Sequence, residues 1–181
     1  MLWGSSSRCA ILSVLRMACN MSECPFCKLY EAGKNVWYEN EHFFIQFEPY
    51  PVTAGHVKVI PIQHVTSMFQ LSKEAWHQIY DALAKGKHII QETDLKTVYE
   101  EMIEHPLDDN SRALAKQVLE ERHWTQSPHA YNFGWNEGKA AGQTVQHLHI
   151  HVIPRYEGDT QDPAGGVRKV IPEKGNYKKI T

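Results

Sequence analysis

Apolar positions recur with two different periods along the chain, and the switch between them divides it. Cys24 to Ala32 leaves room for a turn and a short helix. Val36 to Glu39 and Phe43 to Glu48 read as two strands joined by a tight turn at Asn40-Glu41-His42. Pro49, Pro51 and Gly55 make the next stretch a loop, and Val57 to Ile60 is a third strand stopped by Pro61. The period then becomes helical. Ser72 is a fitting N-cap, and Trp76, Ile79, Tyr80, Leu83 and Ile90 predict one helix over 73–91. Asp94 caps a second helix whose stripe is Leu95, Val98, Tyr99, Met102 and Ile103, ended by Pro106. A third starts at Asp109 to Ser111, with Leu114, Ala115, Val118 and Leu119 on one side. Ala130 to Trp135 and Val145 to Ile153 are the last two strands. Beyond Pro154 the chain is rich in Gly and Pro, with a short strand expected at Val167 to Ile171.

Strands, then helices, then strands with hairpin-like spacing predict an α+β fold. Its expected form is an antiparallel five-stranded sheet with helices on one face. No strand leads into a Gly-rich phosphate-binding fingerprint.

The 181 residues are one domain's worth of chain. With 19 Lys and Arg against 21 Asp and Glu, bulk charge does not drive nucleic-acid binding, and no nucleic-acid partner is expected. No apolar run approaches the roughly 20 residues that span a bilayer, so no membrane partner is expected either. The first 20 residues are Ser-rich, contain Arg8 and Arg16, and lack acidic residues. They read as a tail outside the fold, either a transit peptide or the product of a start codon upstream of Met21. Four cysteines are too few for a disulfide scaffold, and the Cys24, Cys27 spacing suits a reducing compartment, hence the cytoplasm.

The most informative stretch is Gly142-Gln143-Thr144-Val145-Gln146-His147-Leu148-His149-Ile150-His151-Val152-Ile153-Pro154. On a strand, His147, His149 and His151 share one face while Leu148, Ile150 and Val152 point to the core. Upstream, Gly142, Gln143 and Thr144 offer donors that suit a phosphate. Three aligned imidazoles allow nucleophilic chemistry or ligation of a single metal, and the pattern alone leaves both open. Cys24-Pro25-Phe26-Cys27 alone is either a redox pair or half of a metal site.

The pattern Asn136-Glu137-Gly138, Gly142-Gln143-Thr144-Val145 and His147-Leu148-His149-Ile150-His151-Val152-Ile153-Pro154 resembles the signature of the histidine triad (HIT) superfamily. Gly55-His56-Val57-Lys58-Val59-Ile60-Pro61 with His64 resembles a second motif of that family. The resemblance covers roughly residues 24–92 and 129–156. It implies nucleotide hydrolases or transferases that act at an α-phosphate through a covalent nucleotidyl-histidine. By position, His149 is the nucleophile, its tautomer held by the main-chain carbonyl of the last triad histidine. His151 contacts the phosphate and assists the leaving group. Asn136, Gln143 and Thr144 bind phosphate oxygens, and Glu48 binds ribose hydroxyls. The resemblance also implies one structural zinc per chain, held by Cys24, Cys27, His64 and His147, and a homodimer that extends the sheet.

Residues 21–181 would then form the domain, with 93–128 a helical insertion and 157–181 a C-terminal tail. The insertion is open to reading as a lid, a dimer surface or packing. Arg168 in the tail is open to reading as a contact to a distal phosphate or as a solvated loop residue. The implied activity is hydrolysis of dinucleoside polyphosphates or related phosphoanhydrides. A phosphoramidase of the Hint type, a nucleotide-binding protein without turnover and a hydrolase using a triad-bound metal are the alternatives.

Overall fold

A computed structural model of the chain describes residues 23–176. The N-terminal tail expected over residues 1–20, and Met21, lie outside the described residues. Helix α1 is Pro25–Glu31, starting on a proline whose missing N–H costs nothing at that position. Strands β1 (Tyr38–Glu39), β2 (Phe43–Phe47) and β3 (Val57–Pro61) follow. The turn between β1 and β2 is held by Asn40, whose Oδ1 accepts from the N–H groups of His42 and Phe43. Helices α2 (Lys73–His77), α3 (Ile79–Glu92), α4 (Leu95–Glu104) and α5 (Asp109–Glu121) come next. Strands β4 (Ala130–Gly134) and β5 (Ile150–Arg155) complete the sheet, and α6 (Pro172–Gly175) lies in the tail.

The sheet has five strands in the order β1-β2-β3-β5-β4, every pairing antiparallel. The expected α+β class is therefore the one observed. One face of the sheet, with Phe43, Ile45, Phe47, Val57, Val59, Ile150 and Val152, packs into the main core with Ala82, Ile89 and Ile90 of α3 and residues of α4 and α5. Helix α1 lies elsewhere. Phe26 and the two cysteines pack with Phe44 and Ile60, whose side chains alternate to the opposite face. That is why all five residues of β2 are buried.

Three elements differ from the sequence pattern. The helix expected over 73–91 is two helices, because Gln78 takes a φ of −85° and a ψ of −2° that turns the chain between them. Strand β5 begins at Ile150 rather than Val145, since the preceding residues bend to turn His147 away from the strand face. Val167 to Ile171 is not a strand. Gly165 and Gly166 at positive φ lead into a 3-10 turn over Gly166–Val170.

Helices α4 and α5 grip the loop between β2 and β3. Tyr99 of α4 is fully buried and its Oη accepts from the Gly55 N–H at 2.7 Å. Tyr50 Oη donates to Asp108, the N-cap of α5, at 2.6 Å. Gly55 has a φ of +81°, and a Cβ there would meet Ile90 Cγ2 at 2.8 Å and Leu95 Cδ1 at 3.4 Å, so only glycine fits. Glu48 and His56 stand at the two ends of this loop, joined by the Glu48 N–H to His56 carbonyl bond of 2.9 Å.

Candidate active site and metal centre

Two clusters lie on the α1 side of the sheet. In the first, Cys24, Cys27, His64 and His147 each offer one donor atom, and these atoms all lie within 4.8 Å of one another. Cys24 Sγ is 3.4 Å and Cys27 Sγ 3.6 Å from His147 Nδ1, and Cys27 Sγ is 3.3 Å from His64 Nδ1. A tetrahedral zinc with its usual bond lengths sets sulfur–nitrogen edges of about 3.5 Å. The donor set therefore fits such an ion. The tautomer fits as well. His147 Nε2 is 2.8 Å from the Pro61 carbonyl, which can only accept, so Nδ1 presents its lone pair to the sulfurs. Burial pushes the His147 pKa down to about 4, keeping the ring neutral as a ligand must be.

The second cluster carries His149, His151, His56, Glu48 and Lys58. His149 Nδ1 is 2.9 Å from the His147 carbonyl oxygen. The carbonyl that fixes the tautomer is thus that of the first triad histidine rather than the last, because the bent approach to β5 folds this carbonyl back on the ring two residues later. Nδ1 must donate, so the ring's lone pair sits on Nε2, which has no hydrogen-bond partner among the described residues. Burial lowers the His149 pKa, and the Lys58 ammonium adds to the effect.

His56 Nε2 lies 3.0 Å from His151 Nδ1. The Val52 N–H donates to His56 Nδ1 over a long 3.5 Å, which puts the His56 proton on Nε2, facing His151. The neutral His151 then carries its own proton on Nε2. Burial pushes the His151 pKa down to about 4 and also lowers that of His56 well below the ordinary value. Glu48, His56 and His151 form a second donor group within 4.8 Å, but here the Glu48 carboxylate is already bound by Lys58 at 3.0 Å.

The three triad histidines therefore do not converge on one ion: His147 belongs to the cysteine cluster, His151 to the Glu48 group, and His149 to neither. Phe26, between the two cysteines, joins the clusters. Its ring meets His147 edge-on at 5.8 Å and His149 at 5.2 Å between centroids.

The remaining expected residues sit on the loop after β4. Gly134 pairs opposite His151, and Asn136 follows two residues on, packed over the Gly142 turn. Asn136 and Thr144 make no hydrogen bond among the described residues. Gln143 is buried, and its amide is spent on the scaffold, accepting from the Gly138 N–H at 2.8 Å and donating to the Thr66 carbonyl at 2.9 Å. Sequence reasoning assigned no role to His56 or Lys58. Their signal was the alternation of His56 and Lys58 with apolar Val57 and Val59 in a buried strand.

Residues 30–158 match the HIT domain. The Bacillus subtilis protein Hit is 28% identical over 139 residues, covering 75% of this chain and 74% of that protein. An AP-4-A phosphorylase of Mycobacterium tuberculosis is 28% identical over 127 residues, 68% of this chain and 48% of that one. The crystal structure of a HIT family member from Bacillus subtilis superposes with a TM-score of 0.52 at 26% identity, covering 76% of each chain. The match spans well over half the chain and takes in His64, His147 and every residue of the second cluster, so this protein belongs to the HIT family.

Proposed function

We propose that the chain is a nucleotide hydrolase that cleaves phosphoanhydrides at the α-phosphate through a covalent nucleotidyl-His149. The observation that carries this reading is the His149 Nδ1 contact to the His147 carbonyl, because it leaves a neutral Nε2 lone pair as nucleophile. Nε2 attacks the α-phosphorus, the N–P bond forms and the bond to the bridging oxygen breaks. The leaving polyphosphate departs with the bond pair, hydrogen-bonded by His151 Nε2–H. Water then attacks phosphorus, the N–P bond breaks and returns its electron pair to His149 Nε2, one water proton stays on the new phosphate hydroxyl and the other leaves to solvent. Asn136 and Thr144 donate to phosphate oxygens and Glu48 accepts from ribose hydroxyls. In this reading Gln143 serves the phosphate indirectly, by holding the loop that carries them.

The likeness to a protein named AP-4-A phosphorylase supports dinucleoside polyphosphates as the substrate class. The same covalent step serves a phosphoramidate, and parallel turnover of diadenosine tetraphosphate and an adenosine phosphoramidate separates the two. The metal is taken to be zinc with a structural role, since two thiolates and two imidazoles leave no open coordination position. Reduced zinc thiolates suit the cytoplasm. No helix among the described residues is long and apolar enough to cross a membrane. The open edge of β4, flanked by exposed Phe133, Trp135, Trp76 and Tyr80, supports a homodimer.

The test is to quench a reaction with diadenosine tetraphosphate and map the peptide carrying His149 by mass spectrometry. A mass increase of one adenylyl group on that peptide is the expected outcome. Turnover without any adduct, even with the second step slowed, would overturn the covalent route.

A further inference from the structure

Lys58 is the cation that the fold places beside the triad. It stands directly opposite His151 in the β3–β5 register. Its Nζ is 3.0 Å from Glu48 Oε2 and 4.7 Å from the centre of the Phe26 ring. That ring meets His149 edge-on. The side chains of Lys58 and Glu48 are only 7% and 8% exposed.

A buried ion pair is a poor stabiliser. Removing both charges from water costs about what their attraction returns, and apolar residues of similar volume usually do as well or better. A leucine or methionine at position 58 would pack on Phe26 at no such cost. The pair therefore calls for another explanation. His56 and His151 are held neutral by burial, so they offer a phosphate hydrogen bonds but no charge. The ammonium offers both. It has three donors, and Glu48 and the Phe26 face engage only part of them.

We propose that Lys58 is a substrate-binding residue whose ammonium grips the phosphate of the nucleotide, while Glu48, at the other end of the same ion pair, takes the ribose. The pair is a preformed clamp for a ribose phosphate, and Lys58 sets the preference of the site for nucleotides over nucleosides. This rests on reading the site as one for nucleotides.

Calorimetry with AMP and adenosine, on the zinc-loaded full chain, tests it. Lys58→Met alone would strand a buried carboxylate, so the informative variant is Lys58→Met with Glu48→Gln, which conserves net charge. The expected result is a fall of tenfold or more in the preference for AMP over adenosine. Glu48→Gln alone should keep that preference. A double variant with the wild-type preference would overturn the proposal and leave Lys58 merely neutralising Glu48. Should the double variant misfold, Lys58→Gln, whose amide can still bond Glu48, makes the same comparison. Trapping of the His149 adduct tells the two failures apart. An adduct with an unchanged preference sinks only the role of Lys58. Wild-type protein with neither adduct nor preference for AMP sinks the reading of the site and the clamp with it.

Discussion

His149 Nδ1 lies 2.9 Å from the carbonyl oxygen of His147, so the residue that faces the cysteines with its side chain orients the His149 ring with its backbone. The two roles separate under mutation. His149→Ala should lower kcat for diadenosine tetraphosphate by at least about a thousandfold, the scale of losing a covalent nucleophile. Its urea midpoint and metal content should match wild type. Steady-state kinetics beside metal analysis checks both, and residual turnover within tenfold of wild type would remove His149 from the chemistry.

Cys24, Cys27, His64 and His147 tie α1 to the sheet, and Phe26 on α1 touches His149. Protein purified without added metal should carry about one zinc per chain. Cys27→Ser should lose the metal and lower Tm by several degrees, because metal binding and folding are coupled. The chelated protein should also lose activity in step with its structure, without competing kinetics against substrate. Elemental analysis well below one zinc per chain would rule the centre out.

What the sequence made legible follows from range. Asp94 and Asp108 cap α4 and α5 from within one turn, and the stripes of those helices repeat locally, so they read correctly. The Cys24, Cys27 pair and the His147-His149-His151 run are equally local. His56 and Lys58 escaped because their meaning lies elsewhere in the chain. His56 meets His151 across 95 positions, and Lys58 acquires its partner only when β3 folds back on β2. Gln143 misled in the opposite sense. Its place in the motif marks it as a phosphate ligand, while the fold spends its amide on Thr66 and Gly138. The break at Gln78 and the late start of β5 are likewise tertiary, since a helical stripe tolerates a turn and a histidine drawn to two cysteines cannot stay in a strand.

Acid should destabilise the fold through the imidazole pair. Burial pushes the His151 pKa down to about 4, whereas in the unfolded chain it returns to 6.5. Between those values the unfolded state binds more protons. The stabilisation is therefore full above pH 6.5, is lost as pH falls, and has gone by pH 4. The shift corresponds to up to about 3 kcal/mol. Urea midpoints of wild type and His151→Asn, measured from pH 7.5 to 4.5, should show wild type losing stability relative to the variant as the pH falls. Parallel curves would show that His151 is not buried in neutral form.

The β4 edge and its aromatic neighbours should pair two chains. Tyr80 is 78% exposed and Trp135 41%, on a surface that also includes Trp76 and Phe133. Light scattering should give the mass of a dimer for wild type. Tyr80→Glu with Trp135→Glu should shift it to a monomer, by placing charge in an apolar seam. A wild-type monomer at micromolar concentration would leave that face without this partner.

Helices α4 and α5 should act on catalysis through the loop they hold. Tyr99 Oη is the acceptor for a Gly55 N–H that is buried with it. Tyr99→Phe removes the acceptor and leaves the donor unsatisfied, at a cost of about 1–3 kcal/mol. Because Glu48 and His56 end that same loop, the loosened turn should also raise KM for the nucleotide, an effect that a helix pair serving only as packing would not produce. Tyr50→Phe is the control. It breaks the exposed contact to Asp108 and should cost less than about 0.5 kcal/mol. Chemical denaturation with parallel kinetics reads both. A destabilised Tyr99→Phe protein with wild-type KM and kcat would show that α4 props up the core alone.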